Sequence, residues 1–245
     1  MTDTAANRAA TALRHRNLAI DAFNAAQAQY EVAVLDHVTA RIVEAYPEAT
    51  HLTFDHSPHD RTIELHGLWT THRGGTEELV LNVRRDADTT TLDLEELADD
   101  LSDALAGLHS ATWSAVRPAP GPDRRRTLDL PPADRIAGIA ELAHTHHPHA
   151  QMITVEFTGD TCRVLDVICA DIPMSEGGAI RLIRATDECP LWPASTERRI
   201  TALARQIHPL PHLRARHLAR FGAPDEHTAF LLLPQTGTDI GADSK

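Results

Sequence analysis

The sequence predicts an α+β protein of two related units, each a helix, three antiparallel strands and a helix, preceded by a long N-terminal helix. Three observations predict this. Residues 1–46 contain neither Pro nor Gly and are rich in Ala, which favours helix. Short apolar–polar alternations separated by turn residues follow, the period of half-buried strands. The stretch Pro47–Asp55 then reappears as Pro148–Glu156, with Pro, Ala and Thr identical and Leu52 matching Ile153, Phe54 matching Val155 and Asp55 matching Glu156.

The helix over residues 1–46 carries an uneven apolar stripe, from Leu13, Ile20 and Phe23 to Leu35, Val38 and Ile42. Residues 1–30 read as an extension that projects or pairs with a partner helix, and residues 31–46 as a helix packed on its own sheet. Pro47 stops the helix. Leu52 and Phe54 mark a first strand, Ile63, Leu65, Gly67 and Trp69 a second, and Leu79–Val83 a third. Turns are expected at Ser57–Asp60 and Arg73–Thr76. Leu94, Leu97, Leu101, Leu105 and Leu108 then recur at helical spacing and close a first unit over 31–116.

Residues 117–131, with Pro118, Pro120 and Pro122 followed by Arg124–Arg126, read as an exposed linker. The second unit spans 132–234. Ile136, Ile139 and Leu142 mark its first helix, Ile153 and Val155 a strand, and Val164–Ile168 a more continuously apolar, hence more central, strand. Glu176-Gly177-Gly178 is a turn before Ile180–Ile183, a strand or a helical turn. Ser195 is expected to cap a helix bearing Ile200 and Leu203. A further helix over Leu213–Phe221 and a strand over Thr228–Leu233 complete the unit, and residues 235–245 read as a disordered tail.

Charge is unevenly placed. Residues 1–116 hold 8 Arg against 19 Asp and Glu, whereas 117–245 hold 15 basic against 16 acidic residues. The net charge of −12 argues against a general affinity for nucleic acid or anionic membrane. Lys245 is the one lysine, so no internal Lys is present for a Schiff base or a phosphate-binding loop. Cys162, Cys169 and Cys189 form no Cys-x-x-Cys pair and read as reduced thiols of a bacterial cytoplasm. No Gly-x-Ser-x-Gly elbow is present, and Gly74-Gly75 and Gly177-Gly178 do not continue into a nucleotide-binding fingerprint.

The sequence points to charged helices rather than to a catalytic constellation. Asp93, Glu96, Asp99, Asp100 and Asp103 give the last helix of the first unit an acidic face. Arg198, Arg199, Arg205, Arg214, Arg216 and Arg220 make the corresponding region of the second unit basic. The expectation is a non-enzymatic adaptor or regulatory protein that binds another protein, or a second copy of itself, through these helices. A first alternative is a nucleic-acid-associated regulator using the arginines of 198–220, whose binding would weaken with salt. A second is a metal sensor or metal-dependent hydrolase in which His144, His146, His147 and His149 hold Zn²⁺. The alternative for these histidines is that they complement a helix C-terminus, which requires no cofactor.

The order helix, three antiparallel strands, helix resembles that of double-stranded RNA-binding domains, whose basic cluster opens the last helix. The first unit has acids at that position, and the second has Arg198 and Arg199. The order also resembles the small acidic chaperones of secretion systems, which implies binding of a partner chain. Both resemblances cover element order alone.

Overall fold

The computed structural model describes residues 5–57, 59, 62–72, 75–107, 111–122, 124–159, 161–170, 180–186, 189–219 and 227–234. The fold is α+β, with a long N-terminal helix and two antiparallel five-stranded sheets. Helix α1 is one uninterrupted run, Ala5–Ala45, ending where Tyr46-Pro47 cannot continue it. Strands β1 (His51–His56), β2 (Ile63–Thr71) and β3 (Glu77–Asn82) follow. The third strand stops short of Val83, because the Asn82 side chain accepts a hydrogen bond from the Arg85 amide and caps the single turn α2 (Val83–Asp86).

Helix α3 (Leu94–Ala104) starts at Asp93, whose carboxylate accepts from the Glu96 amide. Its Leu97 and Leu101 pack with Leu35, Val38 and Ile42 of α1 over Leu52, Phe54, Leu65 and Leu68 of the sheet. A 3-10 turn (Thr112–Ala115) leads to β4 (Val116–Pro118) and β5 (Arg125–Asp129). Residues 117–131 are therefore not an exposed linker. The strands β4 and β5 that fall here pair with each other and complete the first sheet, in the order β3-β2-β1-β5-β4. Leu128 of β5 faces Leu52 of β1 and is fully buried, which gives this Arg-rich segment its hold on the core.

The second unit opens at α4 (Arg135–His146), capped by Asp134, whose carboxylate accepts from the amides of Ile136 and Ala137. Strands β6 (Ala150–Thr158), β7 (Thr161–Ala170) and β8 (Ile180–Arg184) follow. Gly159, at φ 55, takes the left-handed conformation that the tight β6–β7 connection requires. Helix α5 (Ala194–Ile207) begins after Pro193 with no side-chain cap, so Ser195 lies inside its first turn instead of capping it. Helix α6 (Pro211–His217), with Pro at its start, gives way to β9 (Leu218–Ala219) rather than continuing to Phe221, and β10 (Thr228–Leu232) returns to the sheet. The tail from 235, the Glu176-Gly177-Gly178 turn, and parts of the turns at 57–60 and 73–76 lie outside the described residues.

The second sheet has the order β8-β7-β6-β10-β9, so the most apolar strand, β7, is interior but β6 is central. The C-terminal strand β10 displaces β7 from the centre by pairing with the far side of β6. The two matching stretches noted in the sequence thus become β1 and β6, the middle strands of their sheets, and Leu52, Phe54, Ile153 and Val155 are all fully buried. This agreement is one of strand order and central-strand position; the short helices and turns around the sheets differ.

The units touch through named groups. Arg135, at the start of α4, donates to Asp36 of α1 at 2.5 and 3.2 Å and to Gln206 of α5 at 2.8 Å. Ser114 of the 3-10 turn donates to the Ala202 carbonyl of α5 at 3.3 Å. Among the described residues, no helix is long and apolar enough to cross a membrane.

Candidate functional site

Four of the five acids expected to form a binding face on α3 are occupied within the chain. Asp93 caps the helix. Glu96 and Asp100 meet the Arg41 guanidinium at 2.9 and 3.3 Å, and Asp103 accepts from the Tyr30 hydroxyl at 3.0 Å. These contacts fasten α3 to α1, and the bond to Asp103 raises the Tyr30 hydroxyl above its ordinary pKa. Asp99 is exposed.

The described basic residues are spread over two helices. Arg198 and Arg199 are exposed at the start of α5, Arg205 is half-buried near its end, and Arg214 and Arg216 are exposed on α6. Arg220 lies outside the described residues. Among the described residues, the ion pairs of α3 go to Arg41 and His37 of α1 and not to these helices.

The four histidines around Pro148 diverge. His144 Nε2 lies 2.8 Å from the Ala150 carbonyl, and His147 Nε2 lies 2.9 Å from the Leu191 carbonyl with its ring edge-on to Trp192. His146 lies against the Thr196 hydroxyl at 3.4 Å, and His149 is exposed. The chain reverses here from helix to strand, the four rings form no ligand group among the described residues, and two of them tie the helix end to neighbouring backbone. The expected four-histidine metal set is not assembled.

Among the described residues, the group of three potential metal ligands that does come together is Asp55, Glu64 and His66. It lies on the face of the first sheet opposite the helices, because Leu52, Phe54 and Leu65 take the core side and the alternation turns Asp55 and Glu64 outward. His66 Nε2 is 3.0 Å from Asp55. Both carboxylates are already engaged by guanidinium groups, Asp55 by Arg125 at 2.6 Å and Glu64 by Arg84 at 2.8 Å. Burial opposes ionisation of Asp55, but the bonds from Arg125 and His66 prevail and hold its pKa below the usual carboxylate value. A cation would have to displace two arginines, so the group serves to lock β1, β2 and β5 together. Sequence reasoning misses it because Arg125 sits in a stretch with the composition of a linker.

His51 is the most buried ring on this face. It stacks parallel to Trp69 at 6.3 Å between centroids, with Glu77 3.7 Å from Nε2. Burial lowers its pKa, outweighing the opposing pull of Glu77 and Asp129, while Arg117 and Arg199 act in the same direction as burial. In the unfolded chain the imidazole takes a proton near its ordinary value of 6.5, whereas in the fold it remains neutral to lower pH. Its stabilisation is therefore complete above that value and is lost as pH falls through it. Thermal melts from about pH 7.5 to 5.5 should show the melting temperature dropping by roughly a few degrees, with a shallower drop in His51→Gln. An identical slope in the variant would remove this assignment; the depressed pKa of His217 contributes the remainder in the same direction.

Two surfaces missed or only partly read in the sequence stand out. The first is the N-terminal half of α1. Residues 7–26 are exposed on every side, including Leu13 at 52%, Leu18 at 60%, Ile20 at 47% and Phe23 at 67%. The second is a cleft of about 760 Å³ between the units. One wall is the C-terminal half of α1, with Thr39, Ala40 and Val43; the other is Leu130–Ala133, which joins β5 to α4; Arg199 of α5 reaches it. Proline and alanine line the connection between the units, and their small rigid side chains leave the space open. No signal in either segment alone would reveal it, since the walls lie some 90 residues apart in the chain.

Comparison with known proteins found no matching protein family, no matching curated protein and no matching solved structure.

Proposed function

We propose that this is a non-enzymatic adaptor of a bacterial cytoplasm that binds a partner protein through the projecting half of α1. The observation that carries this reading is the exposure of Leu13, Leu18, Ile20 and Phe23 on a helix that continues well beyond its own domain. Most helical stability in proteins comes from packing an apolar face rather than from intrinsic propensity, and this half of α1 has no such packing within the described residues. Ile20 lies 18 residues, about five turns, before Val38, so it continues the stripe that α3 and the sheet cover in the folded body. The covering ends near Tyr30 and Glu31, where Asp103 and the Gly107 amide make their bonds to α1, while the stripe itself runs on. Covering one such side chain contributes about 1.5–3 kcal/mol, enough for a few of them to anchor a helix-to-helix contact.

Arg8, Arg14 and Arg16 flank these residues against one acid, Asp21, which suits an acidic helical partner. The nucleic-acid reading is weaker, because its described arginines are divided between two helices, α5 and α6, and the chain as a whole carries a net charge of −12.

The test is a photo-crosslinker at Phe23 in the full chain, followed by reconstitution with the purified captured protein and light scattering for the mass of the complex. The double variant Ile20→Asp, Phe23→Asp should weaken association about a hundredfold or more. It should leave the melting temperature of the body nearly unchanged, since these side chains are exposed. Undiminished association of the variant, or turnover of a substrate by the protein alone, would overturn the proposal.

A further inference from the structure

We infer that the cleft between the two units is a binding site for a small molecule with an apolar body and a single anionic head group, a monocarboxylate above all. Interfaces between structural units are preferred places for such sites, and the cleft, at about 760 Å³, lies within the usual range for ligand pockets. Its walls set the chemistry. Ala40 and Val43 of α1 face Leu130, Pro131 and Pro132, so the body of the ligand must be apolar.

The charge of the ligand follows from what is engaged and what is not. Asp36 lines the cleft but is held by Arg135 at 2.5 Å. Arg199 is exposed and is the cation among the described lining residues. No ion pair within the described residues engages it, in contrast to Arg41, Arg117, Arg125 and Arg135. A guanidinium beside an apolar cleft recognises an anion by paired hydrogen bonds. Glu44 also lines the cleft, so the local field favours a singly charged group over a phosphate dianion.

A second, independent observation points to a ligand. Thr39 lines the same cleft, is 8% exposed, and its hydroxyl has no hydrogen-bond partner. Buried hydroxyl groups are satisfied in most folded proteins; this oxygen is sealed from the cleft as well as from solvent, so a turn of the Thr39 side chain about its first bond would bring it to a bound molecule that supplies the missing partner. Apolar walls and an unengaged cation thus meet in one space, with an orphaned hydroxyl just behind its wall, at the root of the helix whose far end is exposed.

The test is calorimetric titration of the full chain with decanoate, decyl phosphate and decyltrimethylammonium. Decanoate should bind saturably at one site per chain, and the cationic amphiphile should bind at least about tenfold more weakly. Decyl phosphate should fall between them. Arg199→Gln should weaken decanoate binding by about tenfold or more, Glu44→Gln should tighten it, and Arg198→Gln, which does not line the cleft, should change it less than about twofold. Ala40→Trp, a substitution at an exposed helix position, should fill the cleft and abolish binding with the circular dichroism melt retained. Non-saturable heats, equal affinity for the cationic amphiphile, or undiminished binding by Arg199→Gln or by folded Ala40→Trp would overturn the inference. None of these outcomes touches residues 7–26, so the adaptor proposal stands or falls separately.

Discussion

Phe54→Ala is expected to lower the unfolding free energy by about 3–5 kcal/mol, the largest effect of any single side-chain truncation in the first unit. Phe54 is fully buried on β1, the middle strand of its sheet, and belongs to the cluster in which α1 and α3 close over the strands. Partners on both sides fix β1, with Leu65 of β2 opposite Phe54 on one edge and Arg126 of β5 on the other. A strand paired on both edges cannot shift to fill the space a missing ring leaves, so most of the cavity remains and its cost adds to the lost burial. Urea denaturation followed by circular dichroism measures the effect. A loss below about 1 kcal/mol would mean that the core is not organised around this strand. The corresponding change in the second unit, Val155→Ala, removes fewer atoms and should cost correspondingly less.

Arg135→Ala is expected to cost about 2–4 kcal/mol and to loosen the two units from each other. Arg135 is 5% exposed and joins three helices, donating to Asp36 of α1 and Gln206 of α5 from the first residue of α4. Removing it leaves Gln206, 1% exposed, with its carbonyl oxygen unpaired. Asp36 is 44% exposed and regains water, which keeps the figure below that of a fully buried pair. Arg135→Ala and Asp36→Asn, alone and combined, form a cycle whose coupling measures the ion pair itself. The denaturation curve should broaden or split in Arg135→Ala as the units melt less cooperatively. A sharp single transition with unchanged midpoint would show that the units are held by other contacts.

Local periodicity makes much of this fold legible in the sequence. Pro47 and Pro148 mark the ends of helices, and the alternation after each marks the central strands, because these signals are written in neighbouring residues. What escapes depends on partners distant in the chain. The segment Arg125–Asp129 carries two arginines and follows three prolines, so its composition is that of a linker. It is a strand only because β1, some 75 residues earlier, offers an edge and Leu128 finds a place opposite Leu52. Likewise the acids of α3 have the pattern of a solvated face, yet Arg41 and Tyr30 of α1 turn several of them to holding the helix. Arg135 has no mark in the sequence at all, since an arginine at a helix start is ordinarily exposed; only the convergence of three helices buries it. The histidines near Pro148 show the opposite error, in which closeness in sequence does not survive the reversal of chain direction.

Helix α1 has a mechanical consequence. Its 41 residues make a rod about 60 Å long, clamped along one half and unsupported along the other. Such a rod is a lever arm. From the clamp at Leu35 to Leu13 is about 33 Å, so a tilt of roughly 5° at the clamp carries Leu13 through about 3 Å. That displacement is comparable to the spacing that separates a seated side chain from an unseated one in a helix-to-helix contact. Small adjustments in how Arg41 grips Glu96 and Asp100 are thus magnified along the rod, and its tip registers the state of its base.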